Sequence, residues 1–203
     1  MEGEMNMAYE EIKSSGITEE TPKNIMLNAA TLHRGLTFTD GKWNFDESLF
    51  GATSGGTKVS IVPEFTDIPV DGALVKVKGL AIKIGETAKV ETNMIELTKD
   101  WIKRTVVAKE GTTENTDYEV LESKPQLEDS DYIENFGIIG RLTDGRPVVI
   151  VFDYALCTSG LELDSKNKEA TVIPATFECY AELSPKADTL PYHIYYPKTV
   201  TGE

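Results

Sequence analysis

Few residues in this sequence stand at spacings that do chemistry. Gly51 to Lys58 reads GATSGGTK, a composition that suits a phosphate-binding loop. Such a loop needs Gly-Lys-Ser/Thr ahead of a helix, so that backbone N–H groups and the lysine converge on the phosphates. Here the order is Gly56-Thr57-Lys58, and the run that follows alternates like a strand. Nucleotide binding is therefore not expected. Ser54 lies in the same run but outside the strand-to-helix elbow that exposes a nucleophilic serine. The two histidines, His33 and His193, sit in strand-like surroundings without a partner motif. Neither reads as a general base or a metal ligand. Glu128, Asp129, Asp131 and Glu134 cluster, but the central glycine of a calcium-binding loop is missing, so they read as a solvated charge run. Cys157 and Cys179 are the only cysteines. They read as small core residues of a reducing compartment, with one bridge between them as the alternative. No catalytic, cofactor-binding or metal-binding residue is nominated, and no enzyme is expected.

The elements that would carry such residues are strands. The organising stretch is Lys58 to Glu96. Val59, Ile61 and Phe65 alternate with Ser60, Glu64 and Thr66, the mark of a sheet with one buried and one wet face. Asp71-Gly72 predicts a turn. Val75 and Val77 then alternate with Lys76 and Lys78, and at Gly79 the apolar set shifts to Leu80, Ile82 and Ile84, which predicts a β-bulge. A third strand follows with Ala88, Val90, Thr92 and Met94 inward. Asn24 to Phe38 predicts an opening strand with Ile25, Leu27 and Ala29 on one face. Phe136 to Leu156 predicts a hairpin turning at Thr143–Arg146, with Val148 to Phe152 apolar on both faces and hence central. Thr176 to Leu183 alternates again, with Phe177, Cys179, Ala181 and Leu183 inward. One helix is expected at about residues 97–107, capped by Thr98, with Asp100 in its first turn and Trp101 and Thr105 on its buried face. Met7 to Ser15 gives a weak helical signal.

The chain thus reads as all-β, a β-sandwich or flattened barrel with one flanking helix and long loops at 39–57 and 109–135. Its expected divisions are an N-terminal arm at 1–23, a β domain at 24–183, and a C-terminal strand or arm at 184–203. The 203 residues carry 34 Asp and Glu against 20 Lys and Arg, a formal charge of −14. That balance repels a nucleic-acid backbone rather than gripping it. No stretch of about 18 apolar residues predicts a membrane span, and the acidic start of the sequence does not read as a secretory signal.

Four pieces, taken together in order and spacing, resemble a known family. They are GATSGGTK at Gly51–Lys58, EFTDIPVDG at Glu64–Gly72, VKGL at Val77–Leu80, and an amphipathic helix after the TNMIE strand end. The late run RPVVIVFDYALC and its alternating F-x-C-x-A partner add to the likeness. The sequence resembles the tail tube, or major tail, proteins of long-tailed phages and prophages of Gram-positive bacteria. The resemblance implies a non-catalytic virion protein built in the bacterial cytoplasm, six copies of which form rings that stack into a tube. It implies as partners further copies of the chain and the tail proteins at the tube tip and terminator, with DNA passing through the bore unbound.

Within that frame, Glu91, Glu178 and Glu182, on outward strand faces, are candidates to line the bore. Trp43, Phe45, Leu49 and Phe50, in a Gly-rich loop, are candidates for contact with a neighbouring ring or subunit. The same loop could instead fold back over its own core. The competing expectation is a non-catalytic β-sandwich binding module, carbohydrate-binding or virion-decorating, with an aromatic platform from Trp43 or from Tyr192, Tyr195 and Tyr196.

Overall fold

The computed structural model describes residues 15–184 and 187–198. The helix expected over Met7–Ser15 and most of the N-terminal arm lie outside the described residues. The scaffold is the expected central hairpin, β9 (Ile133–Leu142) and β10 (Pro147–Cys157), paired from Pro147↔Arg141 to Ala155↔Ile133. Its turn closes at Gly145, whose φ of +88° suits a residue without a Cβ. The Asp144 carboxylate accepts the backbone N–H of Arg146 at 3.1 Å, which is the main reason its pKa lies below the ordinary value. β10 is buried on both faces, as its unbroken apolar run requires. Phe152, Ala155 and Cys157 join the main core, while Val149 and Val151 join a smaller one on the other side.

Strict alternation would not put Ile133 and Phe136 of β9 into the same core, yet both are there. Asn135, in the left-handed region at φ +47°, absorbs the change of phase. The same happens in β1 (Met26–His33), where Asn28 has φ +72° and the pairing with β9 shifts register between Leu27 and Thr31. This overturns the expected inward set Ile25, Leu27 and Ala29. Leu27 is exposed, and the buried residues of β1 are Leu32 and His33.

Around the central hairpin the chain builds one eight-stranded antiparallel sheet. Its further strands are β4 (Leu49–Gly51), β5 (Thr53–Asp67), β6 (Ala81–Met94), β11 (Ile173–Cys179) and β12 (Tyr192–Tyr195). The order is β4-β1-β9-β10-β11-β6-β5, with β12 on β10 beside β11. β4 and β5, the two ends of that order, are consecutive in the chain. Residues 49–51 pair with β1, and residues 53–67 pair with β6. The sheet therefore curls round until both its ends share one run of backbone, a flattened barrel. Gly51 stands at the changeover with φ +151°, and a Cβ there would lie 2.9 Å from Met94 Cε. The barrel interior is filled by Leu32, Val90, Met94, Phe136, Phe152 and Phe177, with the Phe136 and Phe177 rings 4.7 Å apart.

The helix α1 (Lys99–Thr105) is about one turn shorter than expected. Thr98 caps it, accepting the Trp101 N–H at 3.3 Å. Trp101 and Thr105 are buried, but Leu97 and Val106 fall outside the helix and are exposed. The 109–135 region, expected as a loop, carries a small hairpin, β7 (Ala108–Glu110) with β8 (Leu121–Ser123). Beyond it, Asp131 departs from the expected solvated run. It is buried and meets the equally buried Lys124 at 2.6 Å, while Glu128 Oε2 lies 3.0 Å from the same ammonium. The Asp131 carboxylate, first among the causes, holds the Lys124 pKa above its usual value. β11 ends at Cys179, so Leu183, expected inward, is exposed. Cys157 and Cys179 are both free and buried, and burial pushes the Cys179 thiol up to about 12.

Two further short strands, β2 (Phe38–Thr39) and β3 (Lys42–Trp43), pair within the loop that follows β1. That loop lies over the outer face of β9 and β10, where Leu36, Ile139, Val149 and Val151 meet Trp43 and Phe45.

Candidate assembly surface

The β5–β6 region departs from the alternation rule and carries many exposed apolar residues. β5 and β6 are two long strands, not three, and their pairing runs from Thr53↔Met94 to Asp67↔Ala81. The expected strand through Val75 and Val77 is a loop, residues 68–80, pinned by Ile68 N–H to Leu80 O at 2.9 Å and by Leu80 N–H to Val77 O at 3.1 Å. Gly79 is a turn residue at φ +95° rather than a bulge. The bulge lies lower, where Glu64↔Gly85 is followed by Phe65↔Lys83 and Ile84 is left over.

Only the root of this hairpin is covered. Val59, Ile61, Ala88, Val90 and Met94 pack into the barrel, whereas from Val62 outward both strands stand clear as an arm. Phe65 is 65% exposed and Leu74 97%; Val70, Val75, Ile82 and Ile84 are exposed as well. Phe65, Ile82 and Ile84, expected inward, therefore face away from the core. The physical reason is reach: a strand of 15 residues is longer than the barrel it grows from. The arm is braced at its root, where Tyr192 Oη donates to Glu86 Oε1 at 3.1 Å and Lys83 pairs with Glu86 at 2.9 Å. Lys83 is the leading cause of the lowered pKa of Glu86. Nearer the tip Lys76 pairs with Asp67 at 3.0 Å. A two-stranded ribbon without a cover is marginal in water, and contiguous exposed apolar area marks a contact surface.

The loop candidates are placed differently. Trp43 and Phe45 stack on each other at 6.1 Å against the smaller core, and the Phe50 ring meets Phe136 and Phe177 inside the barrel. Most of their apolar area is spent within the molecule, and Leu49 is the one of the four left exposed.

The three carboxylates do not form one free acidic stripe. Glu91 on β6 and Glu178 on β11 share the outer face of the sheet with Lys58 and Lys89. Glu91 lies 2.9 Å from Lys58 and 2.8 Å from Lys89, and its hydrogen bond from Lys89, more than any other cause, lowers its pKa to about 2. Glu178 accepts from Thr158 Oγ1 at 3.3 Å and its charge acts on Lys89. Glu182 lies past the end of β11, exposed, and its charge is the main cause of the raised Tyr154 pKa. That face is a mixed-charge lattice with a shallow hollow beside Gly55 and Gly56.

His33 has the partner that its sequence context did not reveal. Ser48 Oγ donates to Asn44 O at 2.8 Å, so it accepts from His33 Nδ1 at 2.9 Å, and His33 Nε2 accepts from Thr31 Oγ1 at 2.8 Å. Both His33 and Ser48 are shut from solvent, which makes the pair a pin for the loop rather than a nucleophile and its base. Burial lowers the His33 pKa below 6.5. Among the described residues no group of three or more His, Cys, Asp or Glu is arranged to hold a metal, and no helix is long and apolar enough to cross a membrane.

Among the described residues, three strands of the eight-stranded sheet pair on one side alone: β4 with β1, β5 with β6, and β12 with β10. Pro63 stands on the β5 border and removes one donor there. The exposed arm is what sequence reasoning missed, whereas the C-terminal strand was expected. The available signal was Pro63 and Pro69 on either side of Glu64–Ile68, which argues against a central strand there.

No protein-family model matches the chain, and no curated protein sequence matches it. Among solved structures, a chain described as "Virion of native gene transfer agent (GTA) particle" is similar at 12% identity and a TM-score of 0.37. The match covers 76% of this chain and 93% of that one. A likeness of that size fixes neither fold nor role.

Proposed function

We propose that this chain is a virion structural protein, without catalysis or cofactor, that assembles with copies of itself into rings stacked as a phage tail tube. Six copies per ring, a bore for genome passage, contacts with tip and terminator proteins, and assembly in a Gram-positive host are carried over from the resemblance of GATSGGTK, EFTDIPVDG and the segments after them. The observation that supports self-assembly is the arm: an apolar, hydrogen-bonded hairpin that its own chain leaves bare from Val62 to Ile84. A surface of that kind is stable when a neighbour covers it. Unpaired borders on β5 and β12 offer further places for copies to join. On this reading the mixed-charge face of β5, β6 and β11 suits a bore better than a bare acidic one: it offers DNA neither a basic grip nor strong repulsion.

The test is sedimentation of concentrated protein together with negative-stain microscopy. Rings or tubes are expected from the native chain. The pair Phe65→Asp and Ile84→Asp, on residues that touch no core, is expected to leave a folded monomer. Native protein that stays monomeric at every concentration and salt would refute self-assembly. Tubes formed unchanged by the double variant would refute the arm as their contact.

A further inference from the structure

On the far side of the molecule from the barrel interior, the β2–β3 loop and β12 enclose a second hollow of about 410 Å³. Its walls are aromatic: Phe38, Trp43 and Tyr195. Phe38 and Trp43 have ring centroids 5.1 Å apart and planes inclined at 58°; Trp43 and Tyr195 are 5.0 Å apart at 74°. Trp43 is backed by Phe45, stacked at 7°. Rings set at such angles make the sides of a box rather than the flat platform expected of a sugar-binding module. One carboxylate, Asp153, lines the same hollow. Its single side-chain partner among the described residues is His193 Nε2, at 3.3 Å. Asn135, strained at φ +47°, also borders it, and none of the described side-chain hydrogen bonds involves its amide.

Inclined aromatic walls with one acid attract a compact organic cation: ring faces carry negative quadrupole potential, and the carboxylate adds a full charge. A cation with its charge spread over methyl groups loses little hydration on entering and touches several rings at once. A guanidinium prefers to lie flat on one ring with both nitrogens on a carboxylate, and His193 Nε2, 3.3 Å from one oxygen of Asp153, crowds that bidentate approach.

We propose that this hollow binds a quaternary ammonium group of the choline type, held by Phe38, Trp43 and Tyr195 and neutralised by Asp153. This site is independent of the arm and of any assembly the arm mediates.

The experiment titrates the full chain with choline, with its neutral carbon isostere 3,3-dimethylbutan-1-ol, and with methylguanidinium, read by tryptophan fluorescence and calorimetry. The fluorescence reports on the site because Trp43 lies in it and the only other tryptophan, Trp101, is buried in the core. Choline is expected to bind saturably, about 10-fold more tightly than the isostere. Asp153→Asn is expected to remove most of that preference while leaving isostere binding unchanged. Asp153 is partly exposed, so the variant should fold, and the comparison of choline with its isostere on the native chain needs no variant at all. Co-sedimentation with phosphatidylcholine vesicles assigns the head group to a membrane source, and binding of choline without it assigns a soluble one. Equal binding of choline and isostere, tighter binding of methylguanidinium, or no binding of choline would each overturn the proposal.

Discussion

Single residues carry the pH response of this molecule. His33 is buried neutral, and burial lowers its folded pKa from 6.5. The unfolded chain therefore takes up this proton first. The stability His33 contributes is complete above about pH 6.5 and is lost as pH falls from there through the folded value. We predict a lower thermal midpoint at about pH 5.5 than at about pH 7.5, and a flatter profile for His33→Gln, whose amide can keep both hydrogen bonds without titrating. An unchanged slope in the variant would assign the effect elsewhere. Glu91 acts in a separate window, because its folded pKa is about 2 against 4.5; its contribution is present above 4.5 and fades as pH falls towards 2. Lys124 and Asp131 make a different case. Removing one partner of a buried ion pair leaves the other charged and unmatched. Lys124→Met is expected to lower the urea midpoint more than Lys23→Met, which breaks an exposed pair with Glu20. Equal effects would mean the buried pair is no more than a surface one. Neither group was legible in the sequence. The Ser48 that holds His33 lies 15 residues away, and a charge run gives no sign of which member will be buried.

Elements were legible where one face of a strand meets the core along its whole length. The β9–β10 hairpin, its turn, the Thr98 cap and the inward set of β11 from Phe177 to Cys179 follow from pattern alone. The pattern failed where backbone at positive φ inverted it, at Asn28 and Asn135, and where a strand outgrew the barrel, in the arm. Alternation says that a face is apolar; it does not say whose chain covers it. The Trp43–Phe50 loop shows the same limit: its aromatic rings pack on the molecule's own cores, while Leu49 is exposed. Gly51 is the position where sequence and element meet most tightly. Gly51→Ala puts an L-residue at φ +151° with its Cβ against Met94 and is expected to cost about 1–3 kcal/mol. The check is equilibrium unfolding; a cost near zero would show that β4 can leave β1 without consequence.

At the scale of the whole molecule, charge decides how readily copies meet. With a formal charge of −14, approaching copies repel, and the repulsion acts across a distance that salt shortens from about 30 Å at 0.01 M to about 8 Å at physiological strength. Self-association through an apolar arm should therefore strengthen as sodium chloride rises from about 10 mM to about 500 mM. Sedimentation across that range is the measurement. Association that weakens with salt would point to ion pairs, not the arm, as the joining contact.

The shared run of backbone from Leu49 to Asp67 has a mechanical consequence. A neighbour gripping the arm and drawing it along its own axis would not peel β5 from β6 one bond at a time. It would draw both strands together from the tip they share, loading in shear the ladders that anchor them, β6 against β11 and, through Gly51, β4 against β1. Traction applied at the tip is thus shared by both borders of the barrel, so the fold resists being drawn open from the end by which it is held.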